Sequence, residues 1–195
     1  MEIVLVRHAS TAWSGVRYCG ISDPPLSPTG LAEARQLAAA LANDLPSDVR
    51  IVSSPSRRAV ATAAAIADAA RLPGVELDDR WREADVGLAE GRTFDELRVI
   101  SPEVASALVA GALEIDWPRG ESHVSLAARV ASACADLVDD GRPVVVVTHA
   151  GPLMHACALA RDGGLSRDDL VTPAVARRID LPDRIVRAPV VGSTA

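Results

Sequence analysis

The sequence predicts an α/β protein: a three-layer α/β/α sandwich with a mostly parallel central sheet and helices on both faces. Three observations carry this. Short apolar runs alternate with helix-period segments from one end of the chain to the other. The runs at residues 3–6 and 144–147 are apolar without interruption, as in strands covered on both sides. Proline and glycine punctuate the boundaries between the two kinds of segment.

The run Ile3-Val4-Leu5-Val6 is too short for a helix and rich in β-branched residues, so a first strand over residues 1–7 ends at Arg7-His8. A turn-rich loop follows to Pro25. Ser27-Pro28 then supplies a cap and a first-turn proline for a helix with the stripe Leu31, Ala34, Leu37, Ala38, Leu41 and Leu45. Residues 49–52 read as a second strand, broken at Ser53-Ser54-Pro55, and an alanine-rich helix is expected over 56–72. Pro73-Gly74 ends it, and a short third strand is expected over 75–77.

A polar loop covers 83–91. Two short helices are expected over 93–100 and 102–113, and a longer one over 122–138 with Leu126, Val130, Ala133 and Leu137 on one face. Residues 144–147 form the clearest strand, and Gly151-Pro152 opens the last helix. Weak alternation over 174–180 and 184–189 suggests a closing pair of strands at a sheet edge. The length of 195 residues suits one domain over 1–195.

Composition narrows the chemistry. Hydrophobic residues make up 49% and charged residues 24%, ordinary for a globular chain, so disorder is excluded. The net charge of −6 has the wrong sign for general phosphate-backbone binding, and nucleic acid is not an expected partner. All 20 basic residues are arginine, which removes P-loop and Schiff-base lysine chemistry and favours bidentate recognition of anions. Cys19, Cys134 and Cys157 are odd in number and scattered, which indicates neither a disulfide framework nor a zinc ribbon. With no leader-like amino terminus and no long apolar run, the expectation is a cytoplasmic protein with no membrane partner.

In an open sheet, ligands bind beyond the carboxyl ends of the strands. Arg7-His8, Ser53 to Arg58 and Thr148-His149 all follow expected strands, so they should share one rim. Two histidines, at least two guanidiniums and helix starts suit a phosphate monoester, bound bidentately while a neutral imidazole attacks. A carboxylic acid is still needed for the departing oxygen.

The same residues carry a resemblance. Arg7-His8-Ala9-Ser10-Thr11-Ala12-Trp13 resembles the RHG[ET]xxW signature of the histidine phosphatase (phosphoglycerate mutase-like) superfamily. Residues 20–30 resemble its GxxDxPLSxxG loop, and residues 54–63 its SPLxRAxxTA segment. Residues 81–91 resemble LxExxxGxxEG. Gly120-Glu121-Ser122 and residues 147–151 complete the family order over about residues 1–160.

The resemblance implies His8 as the nucleophile, Arg7 and Arg58 as holders of the phosphoryl oxygens, Glu83 as general acid and His149 as a donor to the phosphoryl group. Ser14, Cys19 and Gly20 are implied as substrate contacts, with Cys19-Gly20 offering backbone N–H groups. No cofactor or metal is implied. Arg57 is expected to be a surface charge and Arg129 an exposed helix charge. Taken alone, each histidine reads more simply as an ordinary core or surface residue, and Glu83 has Asp85 and Glu90 as neighbours able to take its place. His123 and His155 match no role.

Ala9 stands where the family has glycine, which matters only if that residue needs a positive φ, and Ser14 where many members have asparagine. The resulting expectation is a metal-independent phosphomonoester hydrolase acting on a small phosphorylated metabolite through a phosphohistidine. The rivals are a phosphoglycerate mutase and a catalytically silent phospho-ligand binding protein. Sugar or glycerate phosphates, nucleotide-like monoesters and α-ribazole phosphate all stay open as substrates, and so does a homodimer. A lid within residues 92–119, carrying Phe94 and Trp117, is expected to select the leaving group.

Overall fold

A computed structural model of the chain describes residues 1–185. Five strands, β1 (Glu2–Arg7), β2 (Arg50–Ser53), β3 (Glu76–Leu77), β4 (Val144–Thr148) and β5 (Ala176–Asp180), form one sheet in the order β3-β2-β4-β1-β5. The first four run parallel, with Val4 beside Val145 and Arg7 beside Thr148, and β5 pairs antiparallel to β1 at the edge. Mixed α/β architecture with a largely parallel sheet is therefore as expected. The second closing strand, expected over 184–189, falls mostly outside the described residues.

Period-two side-chain alternation divides the core into two layers. Ile3, Leu5, Val144 and Val146 face α5 (His123–Asp140) and α6 (Ala150–Ala160). Val4, Val6, Ile51, Val145 and Val147 face α1 (Pro28–Ala42) and α2 (Arg57–Ala70). All of β4 is buried because it lies between β1 and β2 with helices on both faces. Burying a Val, Ile or Leu contributes roughly 1.5–3 kcal/mol, so this central run anchors both layers.

Three details depart from the sequence reading. Leu31 does not join the α1 stripe and stands 44% exposed. Leu45 packs on the core from beyond the end of α1, which stops at Ala42. The helix expected over 102–113 is α4 (Pro102–Ala110), preceded by α3 (Phe94–Ile100); Gly111, with φ +88°, ends it in a left-handed cap that a residue with a Cβ adopts poorly. Among the described residues no helix is long and apolar enough to cross a membrane.

Candidate active site

The parallel order brings the ends of β1, β2 and β4 to one rim, and with them Arg7-His8, Ser54 and His149. Backbone hydrogen bonds tie the exits together: His8 N–H donates to Thr148 O and Ser54 N–H to Val147 O, each at 2.9 Å. A cleft of about 480 Å³ opens here, and Arg7, His8, Ser14, Cys19, Arg58, Glu83 and Gly151 are among its walls.

His8 is only 7% exposed. Its Nδ1 lies 2.7 Å from Ala9 O, a group that can only accept, so Nδ1 carries the ring proton and Nε2 keeps a lone pair. Burial pushes the imidazole pKa down to about 3, with the Arg58 and Arg7 guanidiniums adding to the fall against the pull of the Ala9 carbonyl. At neutral pH this ring is uncharged, with its lone pair on Nε2. The φ of Ala9 is not positive, and its N–H donates to Thr62 Oγ1 at 3.1 Å, so alanine is accommodated without strain.

Arg58 is 1% exposed and held on three sides. Its Nε donates to His8 Nε2 at 3.3 Å, while its two outer nitrogens donate to Ser22 O at 2.7 Å and Gly20 O at 2.9 Å. Arg57, one residue earlier, is exposed as expected. Arg7 donates through an outer nitrogen to Val171 O at 2.6 Å. His149 is fully buried with its ring centroid 5.0 Å from that of His8 in an edge-on arrangement, and its Nε2 lies 2.8 Å from Ser54 Oγ. Burial first, then its charged and titratable neighbours, drives the His149 pKa well below 6.5. Arg7 Nε and His149 Nδ1 are buried with no hydrogen-bond partner among the described residues.

Glu83 accepts from Ala84 N–H at 3.0 Å and from Gly151 N–H, in the first turn of α6, at 3.1 Å. A Cβ on Gly151 would sit 2.4 Å from Glu83 Oε1, so the glycine makes room for the carboxyl. Burial raises the pKa of Glu83 against the lowering pull of these N–H groups, Arg7 and Arg58. A carboxyl with a raised pKa beside a neutral imidazole is suited to general acid chemistry.

Ser14 lines the cleft; its Oγ accepts from Thr11 N–H at 2.9 Å and lies 3.4 Å from Thr11 Oγ1. Cys19 also lines the cleft. Gly20 corrects the expectation: its N–H points to the Glu90 carboxylate at 3.1 Å, not to the cleft. The backbone of Gly20 serves instead through its carbonyl, on Arg58.

The sequence reading missed two organising residues. Glu90 accepts N–H groups from Gly20, Ile21 and Ser22, fixing the loop whose carbonyls hold Arg58. Arg129 is not an exposed helix charge: it is bidentate to Glu121 at 2.7 and 2.8 Å and donates to the carbonyls of Arg80, Arg82 and Glu83. Glu90 belongs to a motif-bearing stretch and Arg129 to the helix after one, but the backbone groups they hold lie 46 to 70 residues away. From the expected lid, residues 108–117 reach the cleft through Leu108, Leu113, Ile115 and Trp117, whereas Phe94 does not line it. No group of three or more metal-ligating side chains occurs among the described residues.

The family model for the histidine phosphatase superfamily, branch 1, matches residues 3–174. A probable phosphoglycerate mutase of Proteus mirabilis is 34% identical over 182 residues, covering 91% of this chain and 79% of that protein. Phosphoserine phosphatase 1 of Hydrogenobacter thermophilus is 35% identical over 163 residues, covering 82% and 76%. A mycobacterial glucosyl-3-phosphoglycerate phosphatase superimposes with a TM-score of 0.79 at 28% identity, covering 91% of this chain and 88% of that one. The protein TTHB049 from Thermus thermophilus gives 0.73 at 30% identity, covering 95% and 96%.

Proposed function

This chain belongs to the histidine phosphatase superfamily, and from that premise we propose that it hydrolyses a small-molecule phosphate monoester through a phosphohistidine at His8, with no metal in the cycle. The observation that carries the reading is the tautomer of His8: the proton on Nδ1 faces Ala9 O, and the Nε2 lone pair faces the guanidinium cluster.

In the first step the Nε2 lone pair attacks phosphorus and the bond from phosphorus to the ester oxygen breaks. Glu83 gives its proton to that oxygen, and an alcohol leaves. Arg7 and Arg58 hold the non-bridging oxygens, and His149 adds a hydrogen bond as their charge redistributes. In the second step the Glu83 carboxylate takes a proton from water, whose oxygen attacks phosphorus. The N–P bond breaks, its electrons return to Nε2, and phosphate departs with the cycle closed.

Relatives named as mutases and as phosphatases both occur, so the acceptor in the second step is the point at issue. The test uses p-nitrophenyl phosphate with a chelator present. Phosphate release, an acid-labile phosphoryl label on the wild type, and loss of both in His8→Ala are expected. Turnover that persists in His8→Ala overturns the proposal. Label passing to an added phosphoglycerate in preference to water would make the protein a mutase, and a folded wild type inactive on every ester would make it a binding protein.

A further inference from the structure

The cleft is larger than a phosphoryl group requires, and its outer half differs in character from the anion cradle. The whole sequence holds three Trp, one Tyr and one Phe. Trp13, Tyr18 and Trp117 all line this one cleft, and Tyr18 and Trp117 meet edge-on with centroids 5.7 Å apart. Aromatic side chains in so aromatic-poor a chain are concentrated where a leaving group must lie. Leu113 and Met154 add to the apolar lining.

One side of the trough is a single face of α6. Gly151, Met154 and His155 line the cleft at helical spacing, starting just beyond the His149 cap. His155 lies six residues past His149, so it stands about 9 Å farther along the helix axis at ~1.5 Å per residue. It is 9% exposed and makes no hydrogen bond among the described residues. Burial pushes its pKa down to about 4, so at neutral pH it offers a hydrogen bond and not a charge. Two other polar groups of the lining have partners: Arg17 donates to Gly91 O at 2.7 Å, and His123 Nδ1 lies 2.8 Å from Asp116. Arg167, at the exposed edge, is the guanidinium that would favour a short acidic alcohol instead.

Deepening the hydrolase reading and resting on it, we infer that the preferred substrates are monoesters of an alcohol bearing a flat apolar ring, which lies against Trp117 and Tyr18 and presents a hydrogen-bonding atom to His155. Short polar acids of three carbons would leave the aromatic wall unengaged.

The test compares 2-phenylethyl phosphate with ethyl phosphate and phosphoserine on the full chain. The two alkyl alcohols leave with similar intrinsic ease, so a difference reports binding and not leaving-group chemistry. The expected result is a kcat/KM about tenfold or more higher for 2-phenylethyl phosphate, carried mainly by KM, in line with burial of a ring. That preference should fall at least threefold in Trp117→Ala and in the half-buried loop variant Leu113→Ser. Competitive inhibition by 2-phenylethylphosphonate and ethylphosphonate should show the same ratio without turnover. Equal values for the two esters and the two phosphonates, or phosphoserine as the faster substrate, would overturn the ring-bearing class while leaving the hydrolase reading intact. Failure to hydrolyse any ester, with His8 unlabelled, would overturn both.

Discussion

Arg58 Nε donates into the Nε2 lone pair of His8 across 3.3 Å, with both side chains almost wholly buried. The guanidinium thus covers the electron pair that attacks phosphorus in the proposed reaction. In that reaction a phosphate dianion would remove the obstacle by taking that N–H onto its own oxygen, a stronger charge-assisted bond than the one to a neutral imidazole. Substrate binding and nucleophile release become one event.

Glu90 acts on this pair at one remove. It gathers three N–H groups of the 20–22 loop, and the loop carbonyls fix Arg58. Glu90→Ala should weaken inhibition by vanadate by tenfold or more, since a charged hydrogen-bond acceptor contributes ~1.5–3 kcal/mol. Glu90→Gln, which keeps an acceptor oxygen, should recover part of it. Vanadate inhibition unchanged in Glu90→Ala would show that the loop holds Arg58 without it.

The raised pKa of Glu83 gives the pH profile its direction. The first step needs the protonated acid, so phosphoenzyme formation from alkyl phosphates should decline as pH rises through that raised value. His8, with its pKa near 3, stays neutral above pH 5 and contributes no limb there. Glu83→Gln should slow burst-phase formation from ethyl phosphate by about 10²–10⁴ and abolish the alkaline limb. The loss should be far smaller for p-nitrophenyl phosphate, whose leaving oxygen needs no proton. Equal losses for the two esters would remove Glu83 from the acid role.

Arg129 should behave as a clamp and not as a surface charge. It joins α5 to three carbonyls leading up to and including Glu83 and pairs with Glu121. With about a fifth of each side chain exposed, the pair is partly screened, and Arg129→Ala should cost about 2–3 kcal/mol by urea denaturation. Arg129→Lys should rescue little, because an ammonium lacks the fork that spans carboxylate and carbonyls. A substitution within about 0.5 kcal/mol of wild type would return Arg129 to the surface class.

Acidification should destabilise the fold through its buried rings. His8 and His155 bind protons less readily in the folded chain, at about 3 and about 4, than at the unfolded value of 6.5. Their contribution is therefore full above pH 6.5 and drains as pH falls toward 4 and then 3. Each ring adds a slope of at most ~1.4 kcal/mol per pH unit in that window. Melting temperature should fall between pH 7 and pH 5, and His155→Gln should flatten the fall. Identical slopes in the two proteins would mean His155 titrates normally.

The strands, their alternation with helices and the common rim of Arg7-His8, Ser53 to Arg58 and Thr148-His149 are all legible in the order of residues. They rest on local properties: uninterrupted apolar runs, Ser-Pro caps and a motif's position just after a strand. Even the choice of Arg58 over Arg57 follows from the motif, and helix geometry turns one inward and the other out. Only the folded arrangement settles which nitrogen of His8 holds the proton, where the Gly20 N–H points, and what Glu90 and Arg129 hold. It also leaves Leu31 in solvent and turns Trp13, Tyr18 and Trp117 toward one cleft. Each of those outcomes depends on partners brought together from distant segments, such as Glu90 with Gly20 and Arg129 with Arg80. No local pattern encodes which buried donor will find which acceptor until the layers have closed.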